Sequence, residues 1–388
     1  MQQQLAYSLN QLSERSCEQQ QGAKRYIYCG ERLIVALSIG IVGLPNVGKS
    51  TLFTALTNRG GVATKFPFAS VEANVGTVEV PDGRLLQLAD IVHPGRIVPA
   101  TVEFVDIAGL ARGSSLGEGL GNQFLARIRE TDALVEVLRY FTDDEVVHVE
   151  GSIDPPRDQE TLTTELVLAD LGTIERALPR LAKEAKKDKA SAEKYQTIES
   201  LQEWMNEGRP ARDFDFSPVQ REQVYDLHLL TMKPILLVAN VDETEAGMVP
   251  QAVNGFLPLP ICARAESEIA QMEADEAQEF FELLGISESG LARLAQAAYE
   301  LLGLMSYFTA GEMEVKAWTI PIGAKAPQAA GVIHSDFERG FIKAEVASFA
   351  DYITYNGEAG LKAAGKLRQE GKEYIVQEGD VIHFKFNV

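Results

Sequence analysis

Residues Gly43-Leu-Pro-Asn-Val-Gly-Lys-Ser-Thr51 complete the pattern G-x-x-x-x-G-K-[ST], whose backbone amides cradle phosphate groups. The apolar run Leu33–Val42 before them has the character of a buried parallel strand, and Leu52-Phe-Thr-Ala-Leu56 after them opens a helix. Strand, loop and helix therefore follow in the order the motif needs. Gly43 and Gly48 allow a turn tight enough to aim successive N–H groups at phosphate oxygens, and the helix start adds its dipole. Lys49 brings a point charge to the β- and γ-phosphates, and Ser50 a hydroxyl for Mg²⁺. Asn46, Val47, Gly48, Lys49, Ser50 and Thr51 are the expected contacts, and a nucleoside triphosphate is the implied ligand.

Working outward, strand-like runs recur with helical ones between them, as in a mostly parallel α/β domain. Val75–Val80, Thr101–Asp106 and Ala133–Leu138 are expected strands, and the sheet resumes at Pro234–Asn240 and Leu257–Cys262. Asp106-Ile-Ala-Gly109 ends the second of these. There an aspartate holds Mg²⁺ through water, and a glycine N–H meets the γ-phosphate. A second hydroxyl for Mg²⁺ is expected between the first helix and the second strand; Ser70 is preferred, with Thr64 and Thr77 as competitors.

The base-reading loop is Asn240-Val-Asp-Glu243. In a guanine-specific loop of the form Asn-Lys-x-Asp, the aspartate grips two guanine donors at once and the lysine stem packs on the base. Here Val241 and Glu243 take those two places, and the glutamate is one methylene too long for the same grip. Losing one charged hydrogen bond is worth ~1.5–3 kcal/mol. ATP is therefore expected over GTP, with adenine N6 donating to Asn240 or to adjacent backbone; a merely permissive pocket is the plainer reading. The residue after Asp-x-x-Gly is Leu110, which cannot orient water. His148 is the candidate for that task, against the commoner case of a structural histidine. Asn46 is a candidate ligand for K⁺.

Between about 155 and 228 the pattern is helical. Val167, Leu171, Ile174, Leu178, Leu181 and Ala185 form one seam, and Tyr195, Ile198, Leu201 and Met205 a second, as in an antiparallel hairpin. Arg180, Lys183, Lys186, Lys187 and Lys189 gather near its tip, either as a basic patch or as a solvated face. Residues 309–388 read as a small α+β module with strands at 318–322, 341–346 and 381–386. The expected division is thus 1–35 as a polar, disordered extension, 36–154 and 229–308 as two parts of one nucleotide domain, 155–228 as the insertion, and 309–388 as the module. The fold needs nothing upstream of Val35, and translation starting near there is the sharper reading of the extension.

The chain has 388 residues and a formal charge of −20, which argues against non-specific coating of nucleic acid but leaves room for local basic patches. Cys17, Cys29 and Cys262 show no metal or disulfide spacing, so a reducing cytoplasm is expected. No stretch is apolar enough to span a membrane.

With these residues assembled, the chain resembles the YchF family of Obg-related P-loop NTPases over residues 36–388. The resemblance rests on Gly43–Thr51, Phe66-Pro-Phe68, Phe104-Val-Asp-Ile-Ala-Gly-Leu110, Gly117-Glu-Gly-Leu-Gly-Asn122 and Asn240-x-x-Glu243. It continues through Ala317-Trp-Thr-Ile-Pro321, Ala326-Pro-Gln-Ala-Ala-Gly331 and Asp336-Phe-Glu-Arg-Gly-Phe341. It implies a G domain interrupted by the helical hairpin and closed by a C-terminal TGS domain. It also implies ATP hydrolysis in preference to GTP, and binding to the ribosome in a translation- or stress-related role, with rRNA met by the hairpin tip and TGS domain. An Obg-type GTPase and a non-catalytic ribosome-binding module with structural ATP are the alternatives. By the same resemblance Ser50 and Ser70 ligate Mg²⁺, Val241 contacts adenine, and His148 lies on the loop whose histidine assists hydrolysis. Ser70 stands where members usually carry threonine, and Glu136 and Tyr140 depart from the family pattern.

Overall fold

The computed structural model describes residues 37–58, 74–107, 120–272, 274–283, 286 and 288–387. They divide into two compact units, residues 167–232 and, in the other, the described residues up to 166 with those from 233 onward.

The larger unit holds two six-stranded sheets. The first comprises β1 (Ser38–Val42), β2 (Asn74–Val80), β4 (Ala100–Asp106), β5 (Ala133–Arg139), β6 (Ile235–Asn240) and β7 (Leu259–Ile261), in the order β2-β4-β1-β5-β6-β7. Only β2 is antiparallel, paired from Asn74↔Asp106 to Val80↔Ala100. β1 lies at the centre between β4 and β5 and feeds the phosphate loop from a position buried on both faces. Its near-continuous apolar sequence is what such a strand requires.

The second sheet takes β3 (Ile97–Val98), β8 (Leu304–Ala310), β9 (Val315–Pro321), β10 (Phe341–Ser348), β11 (Arg368–Glu370) and β12 (Asp380–Phe386), in the order β11-β10-β12-β8-β9-β3. It starts at Leu304, ahead of the expected boundary at 309. β3 extends it from within the nucleotide-domain sequence, by parallel pairing to Val315 and Lys316. Its core gathers Met305, Tyr307, Ile320, Val346, Ile382 and Phe384 under Ala326, Ala329 and Ala330. The small residues let the helix Ala326–Ile333 approach closely, and the buried Tyr307 hydroxyl donates to Ala329 O at 2.8 Å.

The smaller unit is helical. Helix Pro155–Glu184 leads by a short turn into helix Lys189–Asn206, whose N-cap Asp188 accepts from Ser191 N. Val167, Ile174, Leu181, Ile198, Leu201 and Met205 share one apolar cluster, so the two expected seams meet. The unit begins later than the expected insertion at 155. The first turns of the long helix are instead bonded within the larger unit, where Gln159 donates to Glu136 and Asn254 donates to Gln159.

One buried carboxylate organises the smaller unit. Asp170 accepts from Leu230 N and Thr231 N at 2.8 Å each and from Thr231 Oγ1 at 2.7 Å, while Thr231 Oγ1 accepts from Ala211 N. Asp170→Ala leaves two buried amides and a hydroxyl short of their acceptor. It is expected to destabilise the unit by roughly 2–4 kcal/mol, read as a lower urea midpoint, with Asp170→Asn losing less.

Candidate functional site: the phosphate loop and its base-side wall

The loop between β1 and helix Lys49–Asn58 is built for close approach. A Cβ on Gly43 would stand 2.6 Å from Val137 O, and one on Gly48 would stand 2.2 Å from Asn240 Nδ2. Gly48 also has φ +95°, a conformation that side chains rarely adopt. Asn46 takes the left-handed region at φ +65°, which asparagine tolerates.

Lys49 is buried, and its ammonium donates to Leu44 O at 2.7 Å across the loop. Burial pulls its pKa down to about 8, with Asp106 opposing the shift. Ser50 Oγ donates to Asp106 Oδ2 at 3.3 Å. Burial raises the Asp106 carboxyl above its usual value, with the Ser50 hydrogen bond and the Lys49 charge opposing. Asp106 Oδ1 is buried without a hydrogen-bond partner among the described residues. An orphaned carboxylate oxygen beside a serine hydroxyl is an oxygen donor set suited to a hydrated Mg²⁺, so the residues present fit that ion.

The base-side loop is locked to the phosphate loop. Asn240 Nδ2 donates to Val47 O at 2.9 Å, and Asn240 Oδ1 accepts from Ala263 N at 3.1 Å. Its side chain is thus a strut between two loops, with one lone pair of Oδ1 already engaged by Ala263 N. Val241 is buried at 4% exposure among Ala246, Cys262 and Ala265, while Glu243 is exposed at the start of a short 3₁₀ turn. Sequence reasoning missed Asp242, whose carboxylate accepts from Thr142 N at 3.0 Å and Thr142 Oγ1 at 3.1 Å. It also missed Arg139, a buried guanidinium that donates to the carbonyls of Phe141, Asp143 and Val146 and shapes the loop after β5. A basic residue closing a strand buried along its whole length, Ala133-Leu-Val-Glu-Val-Leu-Arg139, was the available signal.

That loop carries His148. Its Nδ1 accepts from Glu150 N at 3.1 Å, which puts the ring hydrogen on Nε2, and Nε2 donates to Asp158 Oδ2 at 2.9 Å. Arg157 grips the other oxygen of Asp158 at 2.8 and 3.1 Å. Both ring nitrogens are thus engaged and the side chain is 5% exposed, so a water-orienting role requires the ring to leave this clasp. Its neighbour does reach the phosphate loop: Asn46 Nδ2 donates to Val147 O at 3.1 Å. Thr77 lies within β2 rather than on a loop. Ser70, Thr64, Gly109 and Leu110 fall outside the described residues.

Lys49 must be an ammonium to meet phosphate. With its pKa near 8, that form dominates below pH 8 and is lost above it. Affinity for a triphosphate is therefore expected to fall about tenfold for each pH unit beyond that point. Calorimetric titrations at stepped pH check this, and Lys49→Met should both weaken binding and flatten the profile.

Two family models match the chain. One is described as "50S ribosome-binding GTPase" over residues 38–170; the other, named for the C-terminal part of YchF GTPases, is described as "Protein of unknown function (DUF933)" over residues 304–387. The "Ribosome-binding ATPase YchF" of Bacillus subtilis (strain 168) is 51% identical over 366 residues, 91% of this chain and 100% of the relative. The protein of the same description from Escherichia coli O157:H7 is also 51% identical, over 90% of this chain and 99% of its own. A solved structure described as that of the Schizosaccharomyces pombe YchF GTPase superposes with a TM-score of 0.80 at 37% identity, covering 90% of this chain and 98% of its own.

Proposed function

The chain belongs to the YchF family, and we propose that it is a Mg²⁺-dependent ATPase that acts on the ribosome in the cytoplasm as a nucleotide-controlled switch. The observation that carries the nucleotide chemistry is the grouping of buried Lys49 with Ser50 and a half-buried Asp106, one of whose carboxylate oxygens is orphaned among the described residues. Ser50 and Asp106, the latter through water, would hold the metal, together with Ser70. Held by these residues, Mg²⁺ would supply charge neutralisation for the phosphates. Lys49 moves from Leu44 O to phosphate oxygens, and the amides from Val47 to Thr51 orient the triphosphate. Gly109 N–H takes the γ-phosphate. Asn46, whose Nδ2 is spent on Val147 O, has its Oδ1 for K⁺.

The preference for adenine rests on Glu243 and Val241. The exposed Glu243 reaches one methylene beyond the place from which an aspartate grips guanine, and Val241 gives the wall no lysine stem. Hydrolysis through His148 requires its ring to leave Asp158, so ground-state turnover is slow and depends on the loop 146–150. The ribosome is met through the basic tip of the helical unit and the C-terminal module. At the tip Arg180 and Lys189 pair with Glu184 and Glu193, while Lys183, Lys186 and Lys187 are exposed. No helix of the described residues is long and apolar enough to cross a membrane.

Competitive titration of fluorescent ATP and GTP analogues tests the base reading. Wild type is expected to favour ATP at least tenfold, and Val241→Lys with Glu243→Asp to move the preference toward GTP. The flexible lysine stem can carry its charge out of the buried wall. A wild-type preference for GTP would make the chain a GTPase, as the fission-yeast protein is described. For hydrolysis, His148→Ala is expected to lower kcat at least tenfold while ATP affinity stays within about twofold. An unchanged kcat would leave His148 as a structural clasp.

A further inference from the structure

The second sheet has a one-sided strand. β12 pairs with β10 along its length, from Phe341↔Phe386 to Ser348↔Asp380. On its other side its only ladder pair among the described residues is Val381↔Phe308. Soon after that pair β8 ends at Ala310, and the chain turns through 311–314 into β9. The edge Ile382–Phe386 is therefore left without a ladder partner among the described residues. Alongside it lies a cavity of about 590 Å³.

The cavity has two chemical sides. Trp318, Ile333, Phe337, Phe384 and Phe386 form an apolar wall, and Met313, 87% exposed, stands at the mouth. Glu312, Glu314, Glu345 and Glu358 line it as well, and no lysine or arginine does. Arg96, Lys385 and Lys362 pair with three of these glutamates from outside the lining. Glu312 is exposed, with no ion-pair partner among the described residues.

An unpaired strand edge offers main-chain donors and acceptors to a second strand, and pockets beside it select alternate side chains. We propose that β12 takes up an extended, cationic peptide as an added strand. Its backbone would bond to Ile382–Phe386, a large apolar side chain would enter the aromatic wall, and lysine or arginine would face the glutamates. The lining holds four glutamates and His383, three of the glutamates paired with cations from outside it, and offers RNA phosphates no lysine or arginine of its own. Proteins that lie against RNA carry Lys- and Arg-rich arms, and the occupant assigned here is such an arm of a ribosomal protein. The site rests on the ribosome-binding reading only for that source.

The test is fluorescence anisotropy on the purified full-length protein. The probes are a labelled eight-residue peptide of alternating lysine and valine, its glutamate–valine counterpart, and labelled oligouridylate. The lysine–valine peptide is expected to bind at least tenfold tighter than the glutamate–valine one. N-methylating its lysine amides or its valine amides should abolish binding in one case only, because one set of N–H groups faces the edge. Amides of Ile382–Phe386 should gain hydrogen-exchange protection on binding. Glu312→Lys with Met313→Asp, both on the exposed turn, should weaken the peptide at least fivefold and leave ATP affinity unchanged. Preferential binding of oligouridylate, equal tolerance of both N-methylations, or unchanged protection of β12 would each overturn the proposal. Cosedimentation separates the source from the site. If the peptide binds but the double variant cosediments with ribosomes like wild type, the ribosomal arm is overturned as occupant. If wild type itself does not cosediment, the ribosome-binding reading fails while peptide binding is judged by the anisotropy alone.

Discussion

The side chain of Asn240 holds the nucleotide site in one geometry. One end donates to Val47 O in the phosphate loop and the other accepts from Ala263 N after β7, while the backbone carbonyl of Asn240 receives Tyr140 N and Phe141 N from the end of β5. Segments following β1, β5 and β7 therefore meet at this one residue of β6. The arrangement demands glycine at 48, since a Cβ there would collide with the Asn240 amide. A preorganised cradle of this kind lets the phosphate loop keep its amides aimed at a ligand with little reordering.

Most of this was legible because it depends on local chemistry. The phosphate loop follows from glycine, lysine and serine at fixed spacing, and the strands of the first sheet follow from apolar runs. The two seams of the helical unit follow from spacing alone, and the structure buries Val167, Ile174, Leu181, Ile198, Leu201 and Met205 together. What escaped is long-range. Asn240 as a strut depends on a partner 193 residues away in sequence, and the clasp of His148 depends on Asp158 at the start of the next helix. β3 is two residues long, and nothing in Ile97-Val98 marks it as the edge of a sheet otherwise built after residue 304. β8 was missed in part because its sequence, Leu-Met-Ser-Tyr-Phe-Thr-Ala, is buried through its first five residues and shows no alternation.

The negative charge of the chain is unevenly distributed in a way that bears on recognition. Lysines crowd the turn between the two long helices, where the exposed side chains offer point charges suited to phosphate. The cavity beside β12 has the opposite lining, with glutamates over an aromatic floor. A single polyanionic partner does not satisfy both surfaces.

The contact between Asn46 and Val147 ties the phosphate loop to the segment that carries His148. Asn46 belongs to the loop that any triphosphate must fill, and its amide holds the carbonyl of the residue next to His148. Val147 is 74% exposed and Val149 48%, so little packing holds that segment beyond its hydrogen bonds. Occupation of the phosphate loop that turns Asn46 toward a cation or a phosphate oxygen removes one of those bonds. The segment is then retained by Arg139 at Val146 O and by the Asp158 clasp on the imidazole. Asp158 sits in the first turns of the helix that continues to the basic tip. A force or contact that shifts those first turns acts directly on the partner of His148. Nucleotide loop and long helix thus each hold one side of the same short segment, and a switch needs that physical condition: two sites biasing one weakly packed element.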